Sequence, residues 1–329
     1  MEGCATIEGV FGTLLGALPW PDPVGDRTDL DAAVRTVVRA QEEAGLEPIT
    51  DGGLRHPDPF DVASPADAAA WALEDWQFAA ACTEVAVKQA LPGPYTLGRR
   101  YAESRPGEDR DQATTAAAKT IRDRIAELIA AGCPYLEIHE PDAIWIGDDE
   151  AERSRYARAQ ATLLDGVTGT HLSLAITTGS ADDAGSETIL APGYHSLAVD
   201  LIAGPDNWRL VTSAPGSWGI VCGALSAAAG SDDGPELLVW ATRYAASTGG
   251  RGLVRVGLGT ASGLARLSWT DALRKIERLG HAARLAGLAP GEELAGALDH
   301  RAQDLRTRAV GPRRKPRTVR STEPPPKGT

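Results

Sequence analysis

The chain has 329 residues, of which 43% are hydrophobic and 24% are charged, and its formal net charge is −12. This acidic balance argues against a nucleic-acid-binding protein, because phosphate backbones are held mainly by Lys and Arg. No apolar run is long enough to cross a bilayer, and the first residues lack the basic segment of a signal peptide. We therefore expect neither nucleic acid nor a membrane as a partner.

The four cysteines, Cys4, Cys82, Cys133 and Cys222, are scattered and form no CxxC pair. Such a distribution is typical of free thiols in a reducing compartment. The sequence therefore predicts a cytoplasmic protein.

Short apolar segments alternate with amphipathic helical patterns up to about residue 287. Helices are predicted over 29–45 and 115–131, where apolar residues recur at helical spacing. Gly45 and Gly132 stand where these helices should end. Eight strands are predicted, over residues 12–18, 47–50, 86–91, 135–139, 171–176, 196–202, 219–224 and 253–257.

Eight alternating strand–helix units indicate a parallel sheet closed into a (β/α)₈ TIM barrel. The main alternative is an open doubly wound sheet, but no GxGxxG follows the first strand. In a barrel the chemistry lies at the carboxyl ends of the strands. His139 and Glu140 end a predicted strand, so they become candidate catalytic residues.

The chain is predicted to form one barrel over residues 1–287 and a peripheral helical segment over 288–310. Residues 311–329 carry six basic residues, one acid and five prolines, which predicts a disordered, basic, proline-rich tail. A solubilising tail is the favoured interpretation, and a tail that binds an anionic partner is the alternative.

Several segments resemble the catalytic barrel of the cobalamin-independent methionine synthase family, in the family's order. They are residues 38–55, 91–97, 130–141, 171–173 and 257–264. The resemblance covers about residues 10–287 and implies a barrel related to that of uroporphyrinogen decarboxylase. It extends to the catalytic half only, since the family's full-length enzymes carry an additional N-terminal barrel.

The resemblance implies a zinc site whose ligands are altered here. The family uses a His-x-Cys, a Glu and a second Cys. This chain keeps His171 but has Ser173, Asp200 and Ser262 at the other positions. A serine hydroxyl is a poor zinc ligand beside a thiolate. Zinc is therefore a doubtful cofactor, and a relocated site of His139, His171, Asp200 and Cys222 is a hypothesis.

The amino-acid site implied by the family is altered too. The family holds homocysteine with acids at two positions that are Gly53 and His139 in this chain. Losing buried partners of an ammonium group weakens binding strongly. Homocysteine is therefore not expected to be the substrate.

The candidate site residues are expected to gather at the barrel mouth. Arg55 and Lys88 would hold an anionic group of a substrate, or would instead pair with rim acids. Three of the candidates also have a purely structural interpretation. His171 would then be a hydrogen-bonded core residue, Asp200 an ion-pair partner and Cys222 a small buried hydrophobe. The catalytic candidates are His139, Glu140, His171 and Asp200; the substrate-binding candidates are Asp51, Arg55, Lys88, Ser173 and Ser262; and the metal candidates are His171, Asp200 and Cys222.

Three functions fit these residues and this fold. The first is a diverged methionine-synthase-like group (methyl or alkyl) transferase that acts on a small thiol, amine or acid other than homocysteine. The second is a metal-free lyase or decarboxylase that uses His139, His171 and Asp200 as acid–base groups. The third is a non-catalytic barrel that binds a small molecule. Fold alone does not separate them.

Overall fold

The computed structural model describes residues 9–231 and 234–298. The chain divides into two units, residues 1–288 and 289–329. The described part of the first unit contains seven parallel strands in the order β1-β7-β6-β5-β4-β3-β2. The strands are β1 (Phe11–Thr13), β2 (Lys88–Pro92), β3 (Tyr135–His139), β4 (His171–Ile176), β5 (Ser196–Asp200), β6 (Gly219–Leu225) and β7 (Val256–Thr260).

Ten α-helices accompany the strands in the described residues, together with short 3₁₀ turns. In the first unit they are α1 (Leu30–Ala44), α2 (Ala72–Ala80), α3 (Pro94–Ser104), α4 (Arg110–Ala130), α5 (Glu150–Leu164), α6 (Ser186–Ile189), α7 (Trp208–Ser213), α8 (Pro235–Ser247) and α9 (Trp269–Gly287). The second unit contains α10 (Glu292–Leu298). Among these helices, none combines the length and apolar composition needed to cross a membrane.

The parallel sheet curls into a TIM-barrel-like fold, as predicted, with one irregular strand position. The predicted strand over 47–50 forms an isolated bridge between Ile49 and Val87. Glu47 N donates to Gly12 O of β1, and Ile49 N donates to Ala86 O just before β2. This segment therefore joins the two edges of the sheet. Pro48 has no N–H to donate, which interrupts a regular ladder here.

Helix α1 shows how the predicted elements form. Asp29 accepts a hydrogen bond from Ala32 N at the first turn, and Gly45 ends the helix with φ 75°. Its apolar face, which includes Val34, Val37 and Val38, is buried. Gly132, after α4, also has a positive φ of 91°. Both predicted helix ends are thus confirmed.

The predicted tail, residues 311–329, and most of the predicted segment 288–310 lie outside the described residues. Cys82, Cys133 and Cys222 are free thiols in the described part of the chain.

The barrel interior is filled across its middle by small apolar side chains. Leu15, Ala175, Ala198 and Val221 form one buried cluster, against which Phe11 packs. A Cβ at Gly257 would lie 2.3 Å from the Phe11 ring, so the glycine leaves that ring its space. On β4, Ser173 lies before this cluster and Thr177 follows it. They line two different cavities, one at each end of the barrel.

Candidate functional site at the carboxyl-terminal mouth

A cavity of about 410 Å³ opens at the carboxyl ends of the strands. Its walls come from the segment after β1, the long segment between Thr50 and α2, the end of β3, and the residues after β4. The titratable and aromatic side chains that line it are Asp51, His56, Asp58, Phe60, Trp71, Asp75, Arg100, Glu137 and His139.

Three charged or polar side chains run through the barrel interior to this cavity. Lys88 Nζ lies 2.7 Å from Glu137 Oε2, and both side chains are 3% exposed. Glu137 Oε1 lies 2.7 Å from His139 Nε2. Residues 88, 137 and 139 face inward because alternate residues of a strand share one face. Together they form a buried chain, Lys88–Glu137–His139, that ends at the mouth.

The carboxylate of Glu137 is held in its ionised form. Burial alone would raise its pKa, but the Lys88 charge and the hydrogen bonds from His139 and Lys88 outweigh it and lower the pKa to about 2. A carboxylate oxygen 2.7 Å from Nε2 fixes the orientation of the imidazole. Within the described residues Nδ1 has no hydrogen-bond partner. His139 can therefore accept or give a proton in the cavity.

Two further carboxylates, Asp51 and Asp75, line the same cavity. Asp51 Oδ1 accepts a hydrogen bond of 3.0 Å from Gly53 N, and burial raises the pKa of Asp51. Burial first, and then the charge of Asp51, raise the pKa of Asp75 to about 7, although Arg55 opposes this. Arg55 Nε and His56 Nε2 lie 3.5 and 3.3 Å from the Asp75 carboxylate. At both acids burial therefore outweighs the effect of the Arg55 charge on the pKa.

Aromatic rings form the opposite wall. His56 stacks on Trp71 with ring centroids 4.5 Å apart. The Arg100 guanidinium lies 4.6 Å from the centre of the Phe60 ring and also binds Asp142 through bonds of 2.6 and 3.1 Å. The mouth thus combines an acid–base imidazole, an acidic pair and flat apolar surfaces.

The structure brings only part of the predicted site to this mouth. Asp51 and His139 line the cavity, and Arg55 lies beside it against Asp75. Gly263 lines the cavity, but the preceding residue, Ser262, does not. Lys88 reaches the mouth only through Glu137 and lines the cavity at the other end.

The prediction that Glu140 lies at the mouth is wrong. Consecutive strand residues face opposite ways, so the side chain that follows His139 points outward. Its carboxylate accepts hydrogen bonds from Tyr95 N, Thr96 N and Thr96 Oγ1 at the start of α3, and from Gln160 Nε2. It is fully buried, and burial raises its pKa to about 7. Its observed contacts anchor α3.

The expectation that His171 and Ser173 lie at the mouth is wrong. His171 is the first residue of β4 and pairs in register with Tyr135, the first residue of β3. It therefore lies at the amino end of the barrel, where its Nε2 is 2.9 Å from Ser196 Oγ. Ser173 lines the same amino-end cavity.

Neither Asp200 nor Cys222 lines the mouth cavity, contrary to the prediction. Both carboxylate oxygens of Asp200 accept backbone hydrogen bonds, from Ile202 N and Ala203 N at 2.8 Å and from Thr178 N at 3.2 Å. Cys222 faces outward toward Ala241 O of α8, since its neighbour Val221 is the residue that points inward. Burial raises the pKa of the Cys222 thiol to about 12.

The predicted zinc donors therefore do not converge. His139 and His171 lie at opposite ends of the barrel, Asp200 is occupied by backbone N–H groups, and Cys222 packs against a helix. Within residues 9–231 and 234–298 no group of three or more His, Cys, Asp or Glu side chains is placed to share a metal ion. The residues present do not fit the zinc site that the resemblance implies, and no chemical step is derived through that site.

Several mouth residues were not predicted from the sequence. Glu137 could have been found, because Glu-x-His on one strand puts both side chains on the same face. His56 and Trp71 come from the long segment between Thr50 and α2, where no periodic pattern relates one residue to another, and Asp75 lies in the first turn of α2 that follows it. Only the folded loop brings them to the mouth.

No protein-family model matches the sequence, and no curated protein matches it. Three solved structures share its architecture. A B12-independent methionine synthase from Shewanella sp. W3-18-1, in complex with selenomethionine, has a TM-score of 0.67 at 15% identity, over 84% of this chain and 97% of that chain. A putative vitamin-B12-independent methionine synthase from Listeria monocytogenes has a TM-score of 0.62 at 17% identity, over 86% and 99%.

A methyltransferase from Methanosarcina mazei has a TM-score of 0.57 at 15% identity, over 84% of this chain and 94% of that chain. At these identities the comparison establishes the fold. The chain therefore has the barrel fold of the cobalamin-independent methionine synthases, as its sequence segments predicted.

Proposed function

We propose that this protein is a methyl- or alkyl-transferring enzyme that binds a small amine at the carboxyl-terminal mouth and uses His139 as its general base. The observation that carries the proposal is the Lys88–Glu137–His139 chain. A buried carboxylate orients an imidazole whose free nitrogen meets a cavity. The methyltransferase folds of similar structure support the reaction type.

An amine is favoured over a thiol or an acid by the charges around the cavity. The charge of Asp51 adds to the cost of ionising Asp75, and a bound ammonium would relieve it. The arginines nearby are already paired, Arg100 with Asp142 and Arg55 with Asp31 and Asp75. A substrate carboxylate would have to displace one of these acids. The rings of Trp71 and Phe60 offer faces that also favour a cation.

The proposed reaction requires one proton transfer and one displacement. His139 Nδ1 removes a proton from the bound ammonium, and Glu137 stabilises the imidazolium that forms. The neutral amine nitrogen then attacks the methyl carbon of a donor such as a methylated folate. A nitrogen–carbon bond forms while the bond from that carbon to the donor breaks. The electron pair of the broken bond stays on the donor nitrogen, which takes the proton from the His139 imidazolium, so the base is neutral again for the next turnover.

The proposal is tested by transfer of a labelled methyl group from methyltetrahydrofolate to a panel of small amines. Matched thiols and carboxylic acids that lack an amine serve as competing acceptors. His139→Asn should lower kcat by about 10²–10⁴-fold while KM for the amine changes little. His281→Asn, an exposed histidine on α9, is the control and should keep wild-type kcat.

Binding is measured separately by thermal unfolding with each amine. Stabilisation by amines that is lost in Asp51→Asn and Asp75→Asn would support the binding half of the proposal. Stabilisation without methyl transfer would indicate a non-catalytic barrel. Equal stabilisation by amine-free acids, or full turnover by His139→Asn, would contradict the proposal.

A further inference from the structure

A second cavity, of about 360 Å³, lies at the opposite end of the barrel. It is bounded by the first residues of several strands, among them Tyr135 of β3, His171 of β4 and Ser196 of β5. Interior positions at this end carry small side chains, such as Ser173 and Gly219, where a barrel usually has large apolar ones. The space between them is therefore left open.

The inner wall of this cavity carries polar groups, and one of them has no hydrogen-bond partner among the described residues. His171 Nε2 lies 2.9 Å from Ser196 Oγ. The hydroxyl of Ser173 is buried, and it has no hydrogen-bond partner among the described residues. Ser173 is 7% exposed and lines the cavity. A buried hydroxyl without a partner is destabilising, so this position calls for a ligand atom or an ordered water.

The charge at this end is the reverse of the charge at the mouth. Arg255 lines the cavity and is exposed. No carboxylate of residues 9–231 or 234–298 lies within ion-pair distance of its guanidinium. Glu137, the single acid among the described lining residues, is already bound by Lys88 and His139. Burial first, and then the nearby His195, lower the pKa of His171 to about 4, so its imidazole is neutral near pH 7.

Apolar side chains supply the remaining walls. Phe11 and Val221 lie toward the barrel interior, and Val254, which is 62% exposed, is adjacent to Arg255 in the chain. This arrangement suits a ligand with an apolar body, one negatively charged end and one neutral polar group.

We propose that the amino-end cavity is a second binding site, which takes a small aromatic or branched carboxylate that carries a hydroxyl group. The carboxylate binds Arg255, the apolar body packs on Phe11 and Val221, and the hydroxyl meets Ser173 Oγ and the His171 imidazole. This site goes beyond the proposed function and does not depend on it, because its ligand contacts are Arg255, Ser173 and His171, and none of these belongs to the Lys88–Glu137–His139 chain.

The test uses 4-hydroxybenzoate and benzoate as probes, with binding followed by calorimetry and by crystals grown with each acid. Acids of this size bind in the millimolar range, so the titration extends to about 10 mM. Arg255→Gln should weaken both acids by about tenfold, the size of one charge-assisted hydrogen bond. Arg266→Gln is the matched control, since Arg266 is exposed, lines neither cavity and carries the same charge.

The hydroxyl contact is tested with Ser173→Ala. Wild-type protein should bind 4-hydroxybenzoate more tightly than benzoate, and Ser173→Ala should remove most of that preference. The His139→Asn variant, at the mouth, should leave binding of both acids unchanged, which separates this site from the proposed active site.

Three results would overturn the proposal. They are equal weakening by Arg255→Gln and Arg266→Gln, electron density for ordered waters alone with no measurable binding up to about 10 mM, and density for the acid at the mouth.

Discussion

Glu137 is the residue at which the two ends of the barrel meet. Its side chain lines both cavities, and it bonds Lys88 on one oxygen and His139 on the other. A buried ion pair is retained only when both charges are matched, because each ion alone is costly to desolvate. Replacement of either charged residue should therefore lower the stability of the fold as well as change the orientation of His139 at the mouth.

We expect Glu137→Gln to lower the free energy of unfolding by about 3–5 kcal/mol, since it leaves the Lys88 ammonium buried without a counter-charge. Urea denaturation at pH 7 measures this. The exposed pair Arg99–Glu103 is the control, and Glu103→Gln should cost less than about 1 kcal/mol. A double variant, Lys88→Met with Glu137→Gln, should recover much of the loss. Failure of that recovery would argue against the charge explanation.

Asp75 should make stability depend on pH between its unfolded and folded pKa values. Its folded pKa is raised to about 7 from the ordinary value of 3.8. The folded state therefore binds more protons in that window, and stability falls as pH rises through it. The contribution of Asp75 is fully present below pH 3.8 and is lost above about pH 7.

Asp75→Asn should therefore be less sensitive to a change from about pH 5 to about pH 7.5 than the wild type, when urea midpoints are compared. Part of the slope should remain, because burial raises the pKa of Glu140 to about 7 as well. Asp67→Asn, an exposed acid, should keep the wild-type slope. An unchanged slope in Asp75→Asn would contradict the assignment.

At the scale of elements, α3 depends on Glu140 for its start. The Glu140 carboxylate accepts from the backbone of Tyr95 and Thr96 in the first turn. The helix begins with Pro94, and Gly93 precedes it. A Cβ on Gly93 would lie 2.1 Å from the Glu140 carboxyl carbon. The glycine is therefore required by the close approach of the carboxylate.

Gly93→Ala should lower the free energy of unfolding by about 1–3 kcal/mol, because the methyl group must displace a buried, hydrogen-bonded carboxylate. Thermal and urea unfolding both measure it. Gly25→Ala is the matched control, since a Cβ at Gly25 has no atom within 4 Å. Equal effects of the two substitutions would show that chain flexibility, and not the contact with Glu140, determines the result.

The strand elements show where local patterns suffice. The predicted strands 135–139 and 171–176 coincide with β3 and β4, because each is a compact apolar run between turn residues. The predicted strand 47–50 is reduced to one bridge, since Pro48 lacks an N–H and the pairing depends on both sheet edges. The last strand was predicted over 253–257 but runs over Val256–Thr260.

At the scale of the whole molecule, the mouth differs from the methionine synthase site that the sequence resembles. Gly53 and His139 stand where the family has substrate-binding acids, and His171 and Ser173 lie at the far end of the barrel. A zinc-bound thiolate is the nucleophile in that family, and zinc activates it by lowering its pKa.

We therefore expect no synthesis of methionine from methyltetrahydrofolate and homocysteine. The measurement is complementation of a methionine auxotroph that lacks both methionine synthases, with zinc supplied. Metal analysis of protein purified without added zinc or chelator accompanies it. Robust growth would contradict this prediction, and the Cys222→Ala variant would then show whether that thiol supplies the missing ligand.

The barrel of strand–helix units, and the histidine His139 at the end of one of its strands, could be predicted from the sequence alone. Those features follow from local periodicity, from turn residues and from the family segments, all of which are properties of neighbouring residues. The outward direction of Glu140 could also have been predicted, because Glu140 follows an inward-facing His139.

Only the tertiary structure decided which candidates meet. His171 begins its strand and so lies at the amino end, whereas the resemblance placed it at the mouth. Cys222 faces α8 because Val221, and not its neighbours, points into the barrel. His56 and Trp71 reach the mouth through a long loop, and Asp75 reaches it from the first turn of the helix after that loop. Contacts of this kind depend on the direction of each strand, on which of its two faces points into the barrel and on how the loops close. These features bring together residues that are distant in the sequence.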